Sequence, residues 1–159
     1  MPGGYGLSPF SYILKNDGTG KFGVLQQERI GMVTDSKWAD VNNDELLDLI
    51  IVGDWMPITV LINQDGSKFL KETKNLGLEN TTGMWNTLEV IDIDGNGQID
   101  LLAGNAGENF KIKASVEHPM KLYIDDFDEN GQPDPIIMYD FFGQEVPFAS
   151  KDKLAGQLP

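Results

Sequence analysis

The stretch Asp92-Ile-Asp-Gly-Asn-Gly-Gln-Ile-Asp100, followed by Leu101-Leu-Ala-Gly104, decides how this chain is read. Loop positions one, three, five and nine carry oxygen side chains: Asp92, Asp94, Asn96 and Asp100. Gly97 at position six permits the turn that brings the Gln98 carbonyl, at position seven, inward. Such a set suits a hard cation, and calcium above all.

The pattern recurs twice. Asp126-Phe-Asp-Glu-Asn-Gly-Gln-Pro-Asp134 offers Asp126, Asp128, Asn130, the Gln132 carbonyl and Asp134, with Gly131 at the turn. Asp40-Val-Asn-Asn-Asp-Glu-Leu-Leu-Asp48 offers Asp40, Asn42, Asp44, the Leu46 carbonyl and Asp48. In that first loop Glu45 stands where the others have glycine, so it needs either a strained backbone or a shifted turn. It is the weakest of the three candidate sites. None of the loops has the glutamate that an EF-hand places at position twelve; Ile51, Ala103 and Ile137 stand there instead. A single run of this kind is often a solvated turn whose Asx side chains bond their own backbone. Three copies, each leading into an apolar strand, point to two or three Ca²⁺ ions with a mainly structural role. The ion would neutralise close carboxylates and help pin the strands on either side.

A longer unit surrounds the loops. Asn16-Asp17-Gly18 leads to Phe22, and Asn63-Gln64-Asp65-Gly66 leads to Phe69, starting 47 residues later. Gly31-Met32 and Gly83-Met84 each begin nine residues before a loop. The loops at Asp40 and Asp92 start 52 residues apart, whereas Asp126 follows after 34. The third unit is therefore shortened. Periods of this size mark solenoids and propellers.

Short apolar runs read as strands: Tyr12–Leu14, Ser36–Ala39, Asp48–Val52, Ile58–Ile62, Thr87–Ile91, Asp100–Ala103 and Pro135–Tyr139. Gly, Asn and Asp punctuate the junctions. Only 151–158 and 110–116 could be helical, and both are short. Many short strands at regular spacing predict an all-β fold, a partial β-propeller of about three blades in an open arc, with a β-sandwich as the alternative. The expected domain is one partial propeller over residues 1–159, with units at 12–62, 63–110 and 111–159.

Composition agrees with this. Of the 25 acidic residues, nine stand at the presumed ligand positions. Net charge is −13, and three Ca²⁺ ions would bring it to −7. That field repels nucleic-acid backbones and anionic membrane surfaces. No cysteine is present, which excludes disulfides, thiol chemistry and cysteine metal sites. The first residues, Met-Pro-Gly-Gly-Tyr-Gly, lack the basic head and apolar run of a signal peptide. Apolar stretches are far too short for a membrane helix.

The loops with their strands Asp48-Leu-Ile-Ile-Val52 and Asp100-Leu-Leu-Ala-Gly104, and the turns Asn16-Asp-Gly-Thr-Gly-Lys-Phe22 and Asn63-Gln-Asp-Gly-Ser-Lys-Phe69, resemble FG-GAP/VCBS repeats. The resemblance implies an integrin-type β-propeller with calcium in strand-connecting loops. Residues 104–114, 121–128 and 147–152 resemble the exported VCBS-repeat proteins of Bacteroidetes related to the cartilage acidic protein/ASPIC group. That implies an extracellular, periplasmic or cell-surface setting and a segment of a larger propeller of about seven blades. Departures are Glu45, the prolines Pro133 and Pro135 around Asp134, and length.

A non-catalytic module binding protein or glycan is the leading functional reading. Its other expected partners are the remaining blades of a larger parent chain and, through exposed apolar ends, a second copy. Candidate binding aromatics are Trp38, Trp55, Trp85, Tyr123, Tyr139, Phe141 and Phe142, with Trp38 expected in the core and Trp55 and Trp85 as candidates for exposure. Asn80-Thr-Thr82 fits a glycosylation acceptor, idle in a bacterial source. The alternative is a metal-dependent hydrolase or lyase on the same scaffold. His118, the one histidine, precedes Pro119 and reads as a turn or edge residue.

Overall fold

The computed structural model describes residues 4–107, 110 and 112–158. Eleven strands and one short helix are present among them. The fold is all-β, and its strands lie in several antiparallel sheets, none of which closes into a barrel among the described residues. The chain divides into two compact units, Ser8–Ala106 and Met1–Leu7 with Gly107–Pro159.

The larger unit is built on one four-stranded meander. Strands β3 (Met32–Ala39), β4 (Asp48–Met56), β5 (Thr59–Gln64) and β6 (Lys68–Lys71) pair antiparallel in sequence order. Strand β4 is its centre because Leu49-Ile-Ile-Val52 is apolar on both faces and β-branched at Ile50, Ile51 and Val52, the composition of a strand covered twice. All four of those side chains are buried. Gly53 is required there, since a Cβ would stand 2.1 Å from the Met32 carbonyl oxygen.

The meander has a core on each face. On one, Ile50, Val52, Val60 and Leu88 pack with Trp85, Leu101 and Ala103, which come from β7 (Gly83–Ile91) and β8 (Asp100–Asn105). On the other, Leu49, Ile51, Leu61 and Phe69 pack with Ile13 and Leu25, which come from β1 (Ser11–Asn16) and β2 (Phe22–Glu28). A middle sheet flanked on both faces is the stacking of propeller blades rather than the two layers of a sandwich. Two further links tie β7 to the meander. Asp54 and Met56 of β4 pair with Met84 and Gly83. Asp35 of β3 accepts the Leu88 N–H at 2.9 Å.

The smaller unit holds β9 (Lys121–Asp125), β10 (Asp134–Phe141) and β11 (Gln144–Pro147), in sheet order β11-β10-β9, and helix α1 (Lys151–Gln157). The helix predicted at 151–158 forms. Across 110–116 the described residues are bends and coil, and Lys111 lies outside the described residues. Part of the stretch 104–114 that carries the Bacteroidetes resemblance, residues 108, 109 and 111, lies there too.

Each predicted strand is present, most of them longer than the apolar run that announced it. The expectation for Trp38 is corrected: it is 49 % exposed, its ring edge-on to Phe69 at 5.7 Å. Trp85 is half-buried instead, its Nε1–H donating to the Thr81 carbonyl at 2.9 Å, and Trp55 is half-buried as well. The reason is register. Trp38 opposes Leu49 at the edge of the meander, while Trp85 points into the core between two sheets.

Candidate metal centres

The three acidic loops occupy equivalent places. Each connects two antiparallel strands, β3–β4, β7–β8 and β9–β10, and the residue before each loop pairs with its last aspartate: Ala39 with Asp48, Ile91 with Asp100, Asp125 with Asp134. Spacing that looked like a linear motif is thus a hairpin connection held at both ends by sheet.

Inside each loop the first aspartate gathers backbone N–H groups. Asp40 Oδ2 accepts from Glu45, Asp92 Oδ2 from Gly97 and Asp126 Oδ2 from Gly131, all at 2.8 Å. The other oxygen accepts from position five: Asp44 at 3.1 Å, Asn96 at 3.1 Å and Asn130 at 2.9 Å. Position seven then donates to position five: Leu46 to Asp44, Gln98 to Asn96, Gln132 to Asn130. Position two donates to position nine: Val41 to Asp48, Ile93 to Asp100, Phe127 to Asp134. This network forces the chain into a tight coil. Two residues per loop take positive φ: Asn43 and Glu45, Gly95 and Gly97, Glu129 and Gly131.

Glu45 settles the alternative left open by the sequence. Its φ is +67°, close to +83° at Gly97 and +84° at Gly131. The turn has not shifted; the first loop keeps the shared backbone and carries the strain of a non-glycine residue in the left-handed region.

In the second and third loops the carboxylates converge. One oxygen from each of Asp92, Asp94 and Asp100 lies within 4.8 Å of the others, and the same holds for Asp126, Asp128 and Asp134. These are all hard oxygen donors, without nitrogen or sulfur. Hydrogen bonds hold the Asp92 carboxyl below its ordinary range, chiefly the one from Gly97 N–H, so it stays anionic beside its neighbours. The first loop is different. Asp48 is fully buried and both its oxygens accept backbone N–H groups, Val41 at 2.9 Å and Asn63 at 2.8 Å.

Away from the loops, Asp54 on β4 is the acid that burial pushes upward. His118 is exposed, with Nδ1 3.4 Å from Asp140 on β10. The remaining aromatic candidates lie in the smaller unit. Phe142 at +54° φ is 92 % exposed and stacks edge-on with Phe141, which in turn meets Tyr139. Among the described residues, no helix is long and apolar enough to cross a membrane.

Residues 40–103 match the family model of the FG-GAP-like repeat and form a partial repeat of that kind. The match takes in the first two loops and the strands that leave them; the third loop lies beyond it. No curated protein and no solved structure matches the chain.

Proposed function

We propose that this chain is a calcium-stabilised, non-catalytic repeat module of an exported or surface-associated protein, and that it binds a protein or glycan. The observation that carries the calcium reading is the congruence of three loops that share backbone, hydrogen bonds and strand attachment. Solvated turns have no need to repeat a coil that draws three carboxylates within 4.8 Å of one another. Repulsion among those carboxylates works against the coil, and a divalent cation reverses it.

In this reading Asp92, Asp94, Asn96, the Gln98 carbonyl and Asp100 hold one ion. Asp126, Asp128, Asn130, the Gln132 carbonyl and Asp134 hold a second. Asp40, Asn42, Asp44, the Leu46 carbonyl and Asp48 form the weakest site, because both Asp48 oxygens already serve the fold. The resemblance to exported VCBS-repeat proteins supports a location outside the cytoplasm, with further blades of a parent chain among the partners.

Exposed aromatics beside polar loops support the binding role, above all Trp38 and the Phe141–Phe142 pair. Calorimetric titration of EDTA-treated, dialysed protein with CaCl₂ tests the metal. Saturable binding of at least two ions supports the reading, and no heat or binding up to millimolar calcium overturns it.

A further inference from the structure

The larger unit contains two half-blades whose edges complement each other. Strands β1 and β2 repeat β5 and β6: Asn16 pairs with Phe22, Lys15 with Gly23 and Leu14 with Val24, as Asn63 pairs with Phe69, Ile62 with Leu70 and Leu61 with Lys71. Strands β7 and β8 likewise repeat β3 and β4 around the same acidic loop. In the complete blade β4 pairs with β5 on its second edge, Leu49 opposite Leu61 and Ile50 opposite Val60. Among the described residues, β8 pairs only with β7 and β1 only with β2. Among the described residues, then, no strand stands beside β8 as β5 stands beside β4, and none beside β1 as β4 stands beside β5.

The two edges cannot meet within one copy. Strands β1 and β2 sit on one face of the meander through Ile13 and Leu25, and β8 sits on the opposite face through Leu101 and Ala103.

We infer that β8 of one copy pairs antiparallel with β1 of a second copy, completing a blade of strand order β7-β8-β1-β2 across the two molecules. The register follows from the complete blade: Leu101 opposite Leu14, Leu102 opposite Ile13, and Asp100 beside Asn16, as Asp48 stands beside Asn63. The faces also agree. In each copy Leu14 and Phe22 are 53 % and 65 % exposed, whereas their counterparts Leu61 and Phe69 are buried. Leu102 is 58 % exposed, whereas its counterpart Ile50 is fully buried. In the composite blade Leu14 and Phe22 share a face with Leu101, which already packs on the first copy's meander. Leu102 shares a face with Ile13, which already packs on the second copy's meander. Each exposed apolar residue thus comes to lie against a core that exists. The contact is head-to-tail, using a different edge from each partner, so it can continue beyond two copies. It does not depend on the calcium reading.

Leu14→Lys and Leu102→Lys test it, because both positions are exposed in the single copy and a charge there leaves its core alone. Light scattering should show the unsubstituted 159-residue chain growing beyond a dimer with concentration. Each variant alone should be monomeric, and an equimolar mixture should form dimers and stop there, since each supplies the one edge the other keeps. A second measurement uses the absence of native cysteine: Leu14→Cys mixed with Leu101→Cys should form an interchain disulfide under mild oxidation, and neither should do so alone. An unsubstituted chain monomeric at all concentrations, a mixture that remains monomeric, or equal cross-linking in unmixed samples would overturn the inference.

Discussion

Asp48 and Asn63 are joined by a hydrogen bond of 2.8 Å, from the Asn63 N–H to Asp48 Oδ1, that ties the first acidic loop to the end of β5. The Asn63 side chain answers by donating to the Leu47 carbonyl at 3.0 Å. The last aspartate of a loop that looks built for a cation is here also a beam of the blade.

Replacing Asp48 should therefore weaken the fold without calcium. Asp48→Ala strands two backbone N–H groups in a buried place, and each costs about 1–3 kcal/mol when left without a partner. Urea unfolding in EDTA should show this loss for Asp48→Ala and a smaller one for Asp100→Ala. Equal losses in EDTA would contradict the distinction between the two loops.

Glu45→Gly should stabilise the protein. A glutamate at φ +67° bears a left-handed penalty of about 1–2 kcal/mol, partly offset by glycine's greater entropy when unfolded. The expected gain is about 0.5–1 kcal/mol in urea unfolding. A loss would mean that the Glu45 side chain contributes more than its backbone costs.

Asp35 makes stability depend on acid. The Leu88 N–H first, and the Ser36 N–H second, hold its carboxyl below the ordinary 3.8. A depressed carboxylate contributes stability that is complete above its unfolded pKa and lost as pH falls through the folded one. Asp35→Asn keeps an acceptor for Leu88 but cannot titrate. Its melting temperature should fall less steeply than the parent's below about pH 4, measured by circular dichroism. Parallel acid limbs would show that Asp35 is not a source of the dependence.

Much of this was legible because β4 and the loops announce themselves. An apolar, largely β-branched run such as Leu49–Val52 admits few placements other than a buried central strand, and three copies of one loop fix where hairpins turn. The strands β2, β6, β9 and β11 were not announced. Gln26-Gln27-Glu28 and Lys68–Lys71 carry polar residues into a ladder, and β11 ends on Pro147. Their pairing partners stabilise them, not their own propensity. Trp38 was misplaced for a related reason: alternation says which side chains share a face, but not whether that face is covered. The carboxylate clusters were readable as spacing, while the double duty of Asp48 required the β5 end to be brought beside it.

The two converging loops should rank above the first. Asp92→Ala should lower calcium affinity and calcium-dependent stability more than Asp40→Ala, since Asp92 belongs to a set of carboxylates within 4.8 Å. Calorimetry on both variants checks the order, and equal effects would contradict it.

Thermal unfolding of metal-stripped protein, with and without added CaCl₂, decides whether calcium stabilises this fold. A cation bound only by the folded chain raises its stability by mass action, by about 2.7 kcal/mol at a hundredfold excess over the dissociation constant. The melting temperature should drop by many degrees in EDTA and return when calcium is restored. A melting curve that is the same in both conditions would contradict that stabilisation.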